Sequence, residues 1–187
     1  MTTVALLLAA GFGRRFGADK RRAPLADGRT LLAASLASVR AVFPDVRVVI
    51  RSDDDPTALG LPVDIPVVSC ADAESGLGHS LAAGVASLDR CEADSVAILL
   101  GDMPWLREST LRLLAEAAGE ERIVFPLHDG QRGHPVLFGR RFWPELLELQ
   151  GDEGARAVLH AHRDAWHPLE VDDPGVLRDV DTPAALG

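Results

Sequence analysis

Apolar residues fall along this chain in two rhythms, short unbroken runs and stretches spaced three or four residues apart. Residues 4–8 form a run suited to a buried parallel strand. Residues 30–43 set Leu32, Leu36, Val39 and Phe43 at helical spacing, and Pro44 follows where a helix should stop. Residues 46–51 and 65–69 read as a second and third strand, separated by Asp-, Pro- and Gly-rich connections. A helix over 79–88, a buried strand over 96–100 and a helix over 109–118, starting near 107–109, come next. After residue 120 the pattern predicts a strand at 123–125, a turn at Asp129 and Gly130, and an extended stretch at 135–138. Two helices over 141–149 and 154–162 then precede a strand near 167–171. This β-α-β-β-α-β-α order, with extra elements at the end, predicts an α/β fold: a Rossmann-like three-layer α/β/α sandwich with a mainly parallel central sheet. No repeat or low-complexity linker interrupts it, so residues 1–187 are expected to form a single domain. Ligands in such sheets sit beyond the carboxyl ends of the strands. The loops after 4–8 and 96–100 therefore matter most.

Composition narrows the class. There are 19 basic and 28 acidic residues, a net charge of −9, which argues against a nucleic-acid partner bound through a broad basic surface. Lys20 is the only lysine, and the arginine excess is best explained by codon bias. Residues 14–29 nevertheless carry Arg14, Arg15, Lys20, Arg21, Arg22 and Arg29 against Asp19 and Asp27, a local charge of +4 in a chain otherwise at −13. Cys70 and Cys91 form no CxxC pair, so neither a disulfide framework nor a zinc site is expected, and both read as buried thiols. The apolar stretch 4–10 lacks a basic preface, runs into Gly11 and is too short for a membrane span. The expectation is a cytoplasmic protein without a membrane partner.

The first strand runs into Leu8, Ala9, Ala10, Gly11, Phe12 and Gly13, then Arg15, Gly17 and Lys20. Small residues directly after a buried strand let backbone N–H groups approach a phosphate. A dinucleotide fingerprint does not fit, because the third glycine is one residue late and Pro24 and Gly28 interrupt any following helix. A Walker loop does not fit either, since Ala18 follows Gly17. The charge count favours a loop that carries Arg and Lys to a triphosphate over a plain structural turn. Asp102, in a Gly-Asp-Met-Pro turn at the end of the fourth strand, points into the ligand crevice, where a carboxylate suits Mg²⁺. Read without the first loop, it is equally a turn former.

The loop from Leu8 to Lys20 resembles the signature of the molybdenum cofactor cytidylyltransferase group, relatives of the guanylyltransferases in the molybdopterin nucleotidyltransferase family. The resemblance implies a fold of the nucleotide-diphospho-sugar transferase type. It also implies that Leu8, Ala9, Ala10, Gly11, Gly13 and Lys20 bind the nucleotide, with Arg15 and Lys20 on the triphosphate. Ala10, where guanylyltransferases carry Gly, points by the same resemblance to CTP. Arg21 and Arg22 depart from the pattern, standing where apolar residues are expected. Asp181 matches the family's closing Asp-Thr-Pro and would share the metal with Asp102; Asp179, two residues away, is a rival, and Thr182-Pro183 reads alternatively as the start of a short helix. Ser80 falls in a stretch that in the family lies against the nucleotide, although a helix cap explains it as well. Segments 131–138 and 151–156 resemble the cytidylyltransferase group and assign Arg132, His134 and Arg156 to the acceptor. The plainer readings there are a structural turn for 151–154 and a core histidine for His134; His79, His160, His162 and His167 read as surface or packing residues.

The implied reaction joins CMP from CTP to the molybdenum-pterin cofactor and releases pyrophosphate, with Mg²⁺ as cofactor and a client molybdoenzyme as a further partner. Alternatives are a related transferase that uses GTP or a sugar or polyol phosphate, and a non-catalytic module that delivers the cofactor.

Overall fold

The computed structural model describes residues 1–186. Its strands and α-helices follow in the order β1 (Thr3–Leu8), α1 (Leu31–Arg40), β2 (Asp45–Arg51), β3 (Val67–Cys70), α2 (Leu77–Ala86) and β4 (Ser95–Leu100). Then come α3 (Glu108–Ala117), β5 (Ile123–His128), β6 (Gln131–Arg132), β7 (Val136–Gly139), α4 (Trp143–Leu147), α5 (Arg156–Ala161) and β8 (Trp166–Glu170). The strands form one sheet in the order β3-β2-β1-β4-β7-β5, with β5 also pairing β6 and β8. Pairings β1–β2, β1–β4, β2–β3 and β5–β8 are parallel; those of β7 with β4 and β5, and of β6 with β5, are antiparallel.

Every residue of β1 is buried, because the strand is covered on both faces. Ala5 and Leu7 join Leu32, Leu36 and Val39 of α1 and Leu111 and Leu114 of α3 in one core. Val4, Leu6 and Leu8 join Leu81 and Val85 of α2, Leu146 of α4 and Leu159 of α5 in the other. The two-residue alternation of the strand thus divides one apolar run between two cores, the expected three-layer α/β/α arrangement. Among the described residues no helix is long and apolar enough to cross a membrane.

Several boundaries differ from the pattern for identifiable reasons. The third strand starts at Val67, two residues late, because Ile65 is buried from a loop rather than from the ladder. Strand β5 runs on to His128 because the turn at Asp129 and Gly130, both at positive φ, folds it back onto β6. The helix expected over 141–149 is a 3-10 turn at Arg140–Phe142 followed by five α-helical residues. Cys70 is buried as expected, whereas Cys91 is half-buried.

Beyond β8 the chain crosses back over the loop that follows β4. Helix α3 lacks a side-chain cap of its own, since Arg107 stands at the N-cap. Asp173 replaces it from this crossing segment, accepting from Arg107 N (3.0 Å), Thr110 Oγ1 (2.8 Å) and Gly175 N (3.0 Å). The Arg178 guanidinium stacks 3.7 Å from the Trp105 ring centroid, and the fully buried Val180 donates its N–H to Asp102 O at 3.0 Å. Residues 173–181 are thereby fastened along 102–110. Thr182-Pro183 does open a short helix, a 3-10 turn at Pro183–Leu186. Asp173→Ala leaves its donors without a partner and should cost about 2 kcal/mol. Urea unfolding measures this; an unchanged midpoint would show that the segment is held by other means.

Candidate active site

Leu8 and Leu100 are register partners in β1 and β4, so the loops that follow them begin side by side. Ala9 N still bonds Val49 O at 2.8 Å, continuing the ladder, and Phe16 N closes a turn onto Gly13 O at 2.8 Å. Between them, the N–H groups of residues 10–15 find no acceptor among the described residues. The first carbonyls of the loop, at residues 9–11, are held by arginines. Arg21 donates to Ala9 O at 2.9 Å and Arg51 to Ala10 O at 3.3 Å and to Gly11 O, while the Arg51 guanidinium stacks 4.0 Å from the Phe12 ring centroid. Holding carbonyls while leaving successive N–H groups available is what an anion-binding loop requires.

Arg21, the departure from the expected pattern, is buried and structural. Its guanidinium meets Asp19 Oδ2 at 2.7 Å and both oxygens of Asp54, at 2.7 and 2.5 Å. Those bonds hold Asp19 and Asp54 below the ordinary carboxylate range against the opposing effect of burial, and raise Arg21 further despite its desolvation. The local excess of positive charge is therefore largely compensated: Arg15, Lys20, Arg21 and Arg29 all have acidic partners.

Lys20 reaches across to the other loop. Its Nζ donates to Asp102 Oδ2 at 2.6 Å and Val180 O at 2.9 Å, and lies 3.5 Å from Asp181 Oδ1. Gly13 permits this path: it sits at φ +55°, and a Cβ there would come within 3.3 Å of Lys20 Cγ. Arg15, more exposed, pairs with Asp181 at 3.0 Å. Asp102, Asp179 and Asp181 can each bring an oxygen within 4.8 Å of the others, so both rivals for the second acidic position are present. Burial raises the Asp102 carboxyl above its ordinary value; Lys20 opposes that rise and the two neighbouring aspartates add to it. Asp102 Oδ1 is buried with no hydrogen-bond partner. An all-oxygen cluster with an unsatisfied buried oxygen fits a hard divalent cation such as Mg²⁺.

A cavity of about 420 Å³ opens over these groups, lined by Leu8 to Gly13, Lys20, Ser80 and Asp102 among others. Ser80 lies within α2, which begins at Leu77 after Gly76, so it is not the helix cap. Loop 150–154 docks on the start of this helix through Gly78 N to Gly151 O at 2.8 Å, an approach only glycine permits, because a Cβ on Gly78 would sit 2.7 Å from Gln150 O. That loop brings Asp152 to the same cavity.

A second cavity of about 240 Å³ shares the walls Leu8, Leu77 and Leu100 with the first and contains Arg132, His134 and Arg156. Neither arginine has an acidic partner among the described residues. Burial and the charge of Arg156 lower Arg132 below its usual range. Burial likewise lowers His134, chiefly by desolvation, so the ring is neutral near pH 7, and its buried Nδ1 has no partner. His79 is half-buried, His160 is exposed, and His162 pairs with Glu145 at 2.7 Å. Arg51 and Asp54 escape a reading of motifs; the one available hint is the acidic run after the second strand, at the carboxyl edge where such sites lie, whereas Asp152 lies in segment 151–156, from which only Arg156 is assigned.

A glycine-rich loop with available N–H groups, facing acidic residues across the carboxyl edge of a mixed, mainly parallel core of strands, is the arrangement of an α/β nucleotide-binding protein. The chain belongs to the MobA-like NTP transferase domain family, whose model matches residues 5–166. It is 33% identical over 190 residues to the purine catabolism protein PucB of Bacillus subtilis, covering 96% of this chain and 92% of that one. It is also 33% identical over 121 residues to the molybdenum cofactor guanylyltransferase of Rhodobacter capsulatus, covering 63% of this chain and 60% of that one. The crystal structure of Rv0371c from Mycobacterium tuberculosis superposes with a TM-score of 0.87 at 29% identity, over 99% of this chain and 95% of that one. A further structure of that protein is a complex with manganese.

Arg21→Met should destabilise the fold by about 3–5 kcal/mol, because Asp54 is left buried without its counter-ion. Asp19 and Asp54 titrate lower in the folded state than in the unfolded one, so their contribution is complete above the ordinary carboxylate value and is lost as pH falls below about 4. Unfolding free energy measured from pH 7 to 3 should therefore drop steeply in the parent and less steeply in Arg21→Met. Parallel curves would contradict the assignment.

Proposed function

We propose that this protein transfers CMP from CTP to the terminal phosphate of a molybdenum-pterin cofactor, giving the cytosine dinucleotide form and pyrophosphate. The observation that carries this reading is the pair of adjoining cavities. One is lined by the loop with available N–H groups, Lys20 and Asp102; the other holds two arginines without ion-pair partners among the described residues. The first suits a triphosphate and the second a phosphorylated acceptor. Apolar walls from Leu81, Ile98, Val136, Phe138 and Leu159 favour a fused ring over a polyhydroxylated sugar in the second cavity. Ala10, buried at the loop, supports CTP by the family resemblance.

In this reading an oxygen of the acceptor phosphate attacks the α-phosphorus of CTP, and the bond to the β-phosphate breaks to release pyrophosphate. No protein nucleophile is needed, because the acceptor is already ionised. Arg132 and Arg156 hold the acceptor phosphate, and neutral His134 offers Nδ1 as a hydrogen-bonding group to the acceptor. Ser80 contacts the nucleotide. Residues 10–15, Arg15 and Lys20 neutralise charge that builds on the departing pyrophosphate. Asp102, with Asp181 and Asp179, would hold Mg²⁺, which when bound supplies further charge neutralisation at the phosphates. The product would pass to a client molybdoenzyme in the cytoplasm.

A second reading, GTP as donor, is favoured by the identity to the Rhodobacter guanylyltransferase. Lys20→Ala and Asp102→Ala should each abolish pyrophosphate release while leaving circular dichroism unchanged. Near-normal turnover in either variant would remove the assignment. Arg132→Ala and Arg156→Ala should raise the KM for the acceptor about tenfold or more with little change in that for the nucleotide. An equal rise in both constants would place the arginines elsewhere in the reaction.

A further inference from the structure

Three carboxylates gather where β4 ends, and the group that meets them is the ammonium of Lys20. It touches Asp102 and Asp181 and also a backbone oxygen, Val180 O, so it is coordinated by oxygen from three residues. Arg15 adds a second cation on Asp181. With both in place the cluster carries one net negative charge instead of three. A divalent ion arriving alone meets two of the three carboxylates, Asp102 and Asp181, already engaged, and its binding to Asp102 must displace a charge-assisted bond of 2.6 Å. Lys20 engages only one oxygen of Asp102; Oδ1 remains without a partner and is the point from which an entering cation can begin.

The lysine also has somewhere to go. Its stem lies along Gly13, within the loop whose N–H groups at 10–15 find no acceptor among the described residues. A four-carbon stem with a rotatable ammonium can swing from carboxylate to phosphate without backbone movement.

We infer that Lys20 is the resident cation of the acid cluster in the ligand-free protein, that it competes with a divalent metal for Asp102 and Asp181, and that the triphosphate relieves this competition by drawing Lys20 onto itself. The inference rests on the triphosphate and metal roles proposed above. Its consequence is that metal and nucleotide bind cooperatively: each removes the other's competitor.

Two measurements on the whole protein test it. Calorimetric titration of the nucleotide-free protein with MnCl2 should show Lys20→Met and Lys20→Gln binding the metal roughly tenfold more tightly than the parent. Asp102→Asn should abolish binding in every background. Equal or weaker binding in both Lys20 variants, with Asp102→Asn still abolishing it, overturns the competition and leaves the metal site standing. No Mn²⁺ binding by any form overturns both. Because Lys20 is the only lysine, protein labelled with ¹⁵N at lysine Nζ reports on it through a single ammonium resonance. At an MgCl2 concentration too low to occupy the nucleotide-free protein, that resonance should stay in place, and it should move when CTP is then added. A resonance that stays in place after CTP is added contradicts the inference.

Discussion

Crowding of like charge at the carboxyl edge of the sheet is the constraint around which this molecule is arranged. Asp102 comes from the end of β4, Asp179 and Asp181 from a segment more than seventy residues later, and all three converge within 4.8 Å. Such a cluster repels itself and is partly desolvated, so the fold must supply positive charge or lose stability. Lys20 supplies it from the first loop, and in doing so ties three distant parts of the chain together. The buried cap at Asp173 and the Arg178–Trp105 stack then hold the late segment where its carboxylates are needed.

Charged groups in this structure sort by whether they have partners. Arg21 is fully engaged with Asp19, Asp54 and a carbonyl, and its work is to shape the loop. Arg132 and Arg156 line a cavity without an ion-pair partner among the described residues, although Glu153 stands at its wall, and His134 and Asp102 each keep one buried atom unsatisfied. Folding alone gives no return for such arrangements, since an unpaired buried polar atom is costly. Their placement around two cavities with a common wall is what a bimolecular transfer between two anionic substrates requires.

Much of the architecture is legible in the sequence because fully buried strands leave unbroken apolar runs: residues 4–8 and 96–100 lie within β1 and β4. Strand direction leaves no such trace, so the antiparallel insertion of β7 between β4 and β5 emerges only from the structure. At the site, Lys20 and Asp102 stand out because each sits in a short motif directly after a strand. Arg21 misleads, since a buried arginine with two acidic partners looks in sequence like part of a basic patch. Asp179 and Asp181 cannot be ranked by spacing, because an extended segment presents both to the same side, and the structure does bring both in. Arg51, Asp54 and Asp173 belong to no motif; they act through long-range contacts that only the folded chain creates.

The proposal that the two cavities hold donor and acceptor of one nucleotidyl transfer fixes where the α-phosphate of the donor must go. It is tested most directly by following label from α-³²P CTP in the presence and absence of the molybdenum-pterin cofactor and Mg²⁺. Label should appear in a pyrophosphate-linked pterin–cytidine product, in step with pyrophosphate release and only when the acceptor is present. Label that stays in CTP, or emerges as free CMP at the same rate with and without acceptor, would contradict it.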